Sequence, residues 1–129
     1  MKKFSALIIL VGILFGNTFA FEPNWELYAE TDTGIKYYFD RRTAFEDEGM
    51  KSIITMQDVS TQGTNLKSVS FSFIIDCKNF RSKTVKVSGF KGLMGEGEAI
   101  DLSNYKEWDW MDEVPGTPNG ILINLMCGV

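Results

Sequence analysis

The chain has 129 residues, 44% of them hydrophobic, and a formal net charge of −4. That length supports one compact domain, and the acidic balance argues against binding to nucleic acid or to anionic membrane. Histidine is absent, which removes Ser-His-Asp and Cys-His machinery and most zinc sites.

The first twenty residues read as an export signal. Lys2 and Lys3 precede the apolar run ALIILVGILF (6–15), and GNTFA (16–20) puts Thr18 and Ala20 at the small-residue positions a signal peptidase requires. Cleavage is expected after Ala20, leaving 21–129 as a single domain. An apolar run of about ten residues is too short to cross a hydrocarbon core of roughly 30 Å as a helix, so no integral membrane segment is expected after cleavage. The leader holds two lysines and no acid, so residues 21–129 carry −6. Phe21 follows the cleavage site, where a lipoprotein would present cysteine. The expected location is therefore periplasmic or secreted.

Short strands dominate residues 25–102. WELYAE (25–30) alternates, with Trp25, Leu27 and Ala29 on one face and Glu26, Tyr28 and Glu30 on the other. TDTG (31–34) is turn chemistry, and IKYYF (35–39) completes a hairpin. DRRTAFEDEG (40–49) reads as a polar connection, KSIITMQDV (51–59) as a third strand and STQGTN (60–65) as a loop. In VSFSFII (69–75), Val69, Phe71, Phe73 and Ile75 share one face and Ser68, Ser70 and Ser72 the other. This is the pattern of an antiparallel strand buried on one side only, and it carries Cys77 onto the apolar face. FRSKTVKV (80–87) is a fifth strand and EAIDL (98–102) a weak sixth.

The end of the chain changes character. Thr117 suits a helix N-cap and Pro118 the first helical position. From Gly120 to Cys127 only Asn124 is polar. A helix of about ten residues is marginal alone in water, and the phenylalanine face of 69–75 is its natural platform. The two cysteines, Cys77 and Cys127, are expected to form a disulfide in an oxidising compartment, stapling helix to sheet. The helix is apolar nearly all round, which makes a homodimer across its outer side a further expectation.

No segment carries a catalytic signature, and no enzyme activity or cofactor is expected. Glu96 with Glu98, and Asp109 with Asp112 and Glu113, are the carboxylate sets a glycosidase would need, but they lie in glycine-rich or turn segments where acids are usually solvated. EWDWMDE (107–113) lacks the ordered oxygen ligands of a calcium loop; Trp108 and Trp110 fit better as anchors over the sheet edge. GFKGLMGEG (89–97) lacks the Walker lysine pattern and reads as a turn or bulge. Lys78, Arg81, Lys83 and Lys86 form the one basic cluster of an acidic chain. They suit an acidic protein or polysaccharide partner, or guard an exposed edge strand against aggregation. Tyr28, Tyr38 and Tyr105 are candidate aromatics for a recognition surface.

These landmarks together resemble one family, the surface-adhesin protein E family of small exported bacterial proteins. The resemblance rests on Trp25, YYFD (37–40), IDC (75–77), Phe80 and Arg81, LMGEGE (93–98), Trp108 or Trp110, VPGTP (114–118) and Cys127, in that order. It implies an α+β fold in which a single antiparallel sheet of about six strands carries a C-terminal helix on its concave face, tied by a disulfide. It further implies an exported adhesin-like module that binds protein partners such as host extracellular-matrix and serum proteins. A periplasmic envelope-accessory role, or carriage of a small apolar ligand between sheet and helix, is the alternative.

Overall fold

The structure is a computed structural model describing residues 22–103 and 108–128. The expected leader and Tyr105 lie outside those residues. Eight strands form one antiparallel sheet: β1 (Glu26–Glu30), β2 (Lys36–Phe39), β3 (Phe45–Asp47), β4 (Met50–Asp58), β5 (Ser68–Asp76), β6 (Arg81–Phe90), β7 (Ile100–Asp101) and β8 (Met111–Asp112). Their order is β1-β2-β4-β5-β6-β7. β3 continues the column of β2 by pairing with the first residues of β4, and β8 pairs with the start of β6 while β7 pairs with its end. The eight strands thus fill six columns, matching the expected sheet. Among the described residues there is one α-helix, α1 (Pro118–Cys127), which follows the last strand.

Two local expectations in the first half of the sheet are corrected. β3 lies inside the segment read as a polar connection: its three residues are all exposed, and only the protruding start of β4 gives them a partner. Ahead of it, Asp40 ends β2 by accepting the Arg42 amide and capping a 3-10 turn over Arg41–Thr43. In β1 a register shift between Leu27 and Ala29 breaks the alternation. Tyr28, assigned to the outer face, therefore packs against the core, while Leu27 is 55% exposed.

The core lies between the sheet and α1. Cross-strand partners share a face, which places Phe39, Thr55 and Phe71 in one row and Ile53, Phe73 and Thr84 in the next. Leu122 and Ile123 of α1 are buried against Phe39, Ile53, Phe73 and Ile75. The helix begins as read: the Thr117 hydroxyl accepts from the Gly120 amide, and Pro118 stands first. Gly120 is required by close approach, since a Cβ there would sit 2.1 Å from the Val114 carbonyl oxygen. At the other end Cys127 is bonded to Cys77, 50 residues earlier, and Lys51 Nζ donates to the Met126 carbonyl. Leu125 faces outward and is 46% exposed.

The serine face of β5 is covered at its two ends, where Ser68 and Asp76 are buried, while Ser70, Ser72 and Ile74 between them are partly exposed. Ser68, on the serine face, is fully buried; its hydroxyl donates to the Gly92 carbonyl and accepts from the Gly95 amide. The glycine-rich loop after β6 therefore folds back over this face instead of forming an edge turn. Gly95, at φ +82°, lies directly on Met56, where a Cβ would meet the methyl at 2.8 Å.

Asp76 closes the turn that positions Cys77. Its carboxylate accepts from the Asn79 side-chain amide (2.8 Å), Arg81 Nε (2.9 Å) and the Lys78 and Asn79 backbone amides. The Asn79 side-chain bond is the main cause holding this carboxyl below its ordinary value of 3.8; burial opposes it and Arg81 adds to it. At Asp40 burial is the largest influence and raises the value, but hydrogen bonds from Arg42 and Asn24 outweigh it, and the net shift is again downward.

Unfolding measurements on three variants test this framework. Replacing both cysteines by serine frees a 50-residue loop and should remove about 4 kcal/mol of stability, read from the urea midpoint. Gly120→Ala should cost about 1–3 kcal/mol in the same assay, because the clash is with backbone that cannot rotate away. The third variant concerns acid. A depressed folded pKa gives stability that is complete above the unfolded value and is lost as pH falls through the folded one. Asp76→Asn should therefore be less stable than wild type at pH 7, with the gap narrowing as pH drops below about 4; urea midpoints across that range check it.

Candidate functional site

A cleft lies on each face of the sheet. On the face away from α1, a groove of about 420 Å³ is lined by Phe45, Asp47, Glu48, Met50, Lys51, Ser52, Ile74 and Trp110. Phe45 is 65% exposed, and Ile54, one row further along β4, is exposed on the same face. The segment before β8 brings Trp110 here, where its ring lies 4.6 Å under the Arg81 guanidinium.

The basic cluster does not act as one patch. Arg81 is a structural pin, paired with Asp76 at 2.9 Å and stacked on Trp110. Lys78 is exposed in the turn after β5. Lys83 stands opposite Ile74 and Lys86 opposite Ser72, both on the groove's face. Residues three apart in a regular strand face opposite ways; here a register shift at Ser72/Phe73 leaves Val85 without a β5 partner and returns Lys86 to the side of Lys83. β7 pairs with β6 at Ser88 and Gly89 and β8 pairs with it at Arg81 and Ser82, so Lys83 and Lys86 stand on the stretch of β6 between those two short pairings.

The second cleft, about 380 Å³, lies on the helix face beside the start of α1. Tyr37, Gln57, Phe71, Phe73 and Thr84 form its floor, and Glu113, Val114, Thr117, Pro118 and Asn119 its wall. The Phe71 and Phe73 rings are parallel within 5°, with centroids 5.6 Å apart. Glu113 is held by the Ser82 hydroxyl (2.6 Å) and the Asn119 amide (3.2 Å), both donating to the same oxygen, Oε2. Desolvation raises the Tyr37 phenol above its ordinary value, so it remains a hydrogen-bond donor at neutral pH. Beneath Leu122 and Ile123 themselves the sheet–helix interface is filled, so space for a ligand lies beside the helix and not under it.

The other sequence candidates fall elsewhere. Glu96 and Glu98 are exposed on the loop over the opposite face and line neither cleft. Asp109 and Asp112 are exposed, and among the described residues no group of three or more His, Cys, Asp or Glu side chains is placed to hold a metal ion. Tyr28 packs edge-on against Phe39 at 5.7 Å, and burial drives its phenol pKa far upward, so it is a core residue. Tyr38 is half-buried beside Met56. Both clefts draw on residues from distant strands, and Gln57, Phe45 and Thr84 gave no sequence signal of a site. Among the described residues no helix is long and apolar enough to cross a membrane.

Comparison with known proteins agrees with this architecture. Solved structures of Haemophilus influenzae protein E superpose with TM-scores of 0.66, 0.65 and 0.58 at 13%, 13% and 15% identity. They cover 84%, 84% and 83% of this chain and 91%, 87% and 86% of theirs. At such identity they speak for the fold alone. No curated protein matches the sequence. The family model described as surface-adhesin protein E matches residues 25–128, a span that includes every strand, the helix and both cysteines; the chain belongs to the surface-adhesin protein E family.

Proposed function

We propose that this protein is an exported, non-catalytic adhesin-like module, released by cleavage after Ala20, that binds a protein partner through the sheet face opposite α1. The observation that carries this reading is the β6 bulge, which sets Lys83 and Lys86 on the same face as the exposed apolar groove of Phe45, Ile74 and Trp110. Asp47, Glu48 and Lys51 also line the groove, so it is Lys83 and Lys86 beyond it on the same face that would favour a partner segment pairing an apolar side chain with acidic neighbours. The chain as a whole is acidic, so the lysines direct such a segment to one face and not to the surface at large. Membership of an adhesin family supports a protein partner, with extracellular-matrix proteins as the first class to try. The periplasm or the external medium is the proposed location. Self-association across the outer side of α1 rests on Leu125 and is a separate question for light scattering.

Surface plasmon resonance against immobilised laminin and vitronectin tests the reading. Wild-type binding should weaken as salt rises from about 50 to about 500 mM. Lys83→Glu and Lys86→Glu should each weaken it about fivefold at low salt, equivalent to about 1 kcal/mol, and the double variant more. Binding that ignores both salt and the double variant would move the site off this face. Arg81→Glu is a poor probe, because it also breaks the Asp76 turn.

A further inference from the structure

The cleft beside the start of α1 has a chemistry different from that of the basic face. Its floor is aromatic, with the half-exposed ring of Phe71 lying parallel to buried Phe73. Around that ring stand groups that donate and accept: the Tyr37 hydroxyl, the Gln57 amide and the Thr84 hydroxyl. None of these three side chains hydrogen-bonds to another described residue. On the wall Glu113 uses Oε2 for both its protein donors, Ser82 and Asn119, which leaves Oε1 as an acceptor without a donor among the described residues. Among the described residues no cationic side chain lines this cleft.

We infer that this cleft is a carbohydrate subsite that takes one uncharged pyranose ring, a neutral hexose or N-acetylhexosamine residue of a glycan. A pyranose presents a flat patch of C–H groups on one face and hydroxyls around its rim. The C–H patch, carrying slight positive charge, lies well on the electron-rich face of Phe71. The rim hydroxyls are both donors and acceptors, as are the phenol, amide and hydroxyl around the ring. The volume of about 380 Å³ lies at the lower end of the range for small-ligand sites. The Glu113 carboxylate sets the specificity: it accepts from a sugar hydroxyl but repels a uronic or sialic acid. An apolar ligand is disfavoured, since it would strip water from Tyr37, Gln57 and Thr84 without replacing those hydrogen bonds. The site lies on the opposite side of the sheet from Lys83 and Lys86, so it stands or falls independently of the protein-binding face.

Saturation-transfer difference NMR on the purified protein with its disulfide intact tests this directly. The probes are N-acetylglucosamine, methyl galactoside and glucuronate. The first two, or either of them, should receive saturation mainly at the ring protons of one face, and glucuronate should receive at least fivefold less. Gln57→Leu and Tyr37→Phe alter cleft side chains that bond to no described residue, so their fold should persist; each should reduce the transfer about tenfold or more. Phe71→Ala should abolish it, with circular dichroism reporting whether the fold survives. Absence of transfer to both neutral sugars overturns the inference. So does transfer that persists unchanged in Gln57→Leu and Tyr37→Phe, or that is as strong for glucuronate.

Discussion

The structure depends on covering one short helix. α1 is ten residues long and almost wholly apolar, so it has no stable existence apart from a surface that hides it. The sheet provides that surface in Phe39, Ile53, Phe73 and Ile75. Gly120 lets the first turn approach the Val114 carbonyl, and the Cys77–Cys127 bond holds the last turn at the end of β5. A helix fixed at both ends cannot slide along the sheet. Its start at Pro118 therefore also determines where the helix stops covering the phenylalanines, and the cleft over Phe71 lies at that boundary.

β5 joins the two sides of the molecule. Its apolar residues build the core, while Ser68 bonds twice to the glycine-rich loop that folds over the other face. At its end Asp76 gathers the turn, Arg81 and, through Arg81, Trp110. A buried carboxylate of this kind is stable only while its oxygens have donors, so the turn, the disulfide and the wall of the groove are mechanically linked. The arginine that looks most available for a partner in the sequence is the one already committed to the fold.

The two faces consequently differ in what they offer. One presents lysines beside an exposed apolar groove, the other an aromatic floor ringed by neutral polar groups and one carboxylate. A single extra residue in β6 accounts for much of this division. Without the bulge at Val85, Lys86 would fall on the helix face, and the cleft over Phe71 would lie near a cation.

Much of the scaffold was legible in the residues alone. The period-two pattern of 69–75, the Thr117-Pro118 helix start and the pairing of the two cysteines obey rules that act within a few residues or through the compartment. β3 was not legible, because three exposed residues carry no burial pattern and are a strand only where β4 offers them a partner. Nor was the inward turn of Tyr28, since a register shift is decided by how two strands meet. The clefts lie further still from the sequence. Phe45 with Trp110, and Gln57 with Glu113, are brought together by strand order and by the path into α1, which are properties of the folded chain. Local chemistry determined the elements and the staple; only the tertiary structure decided which faces remained open, because a face is open or covered according to what the rest of the chain places on it.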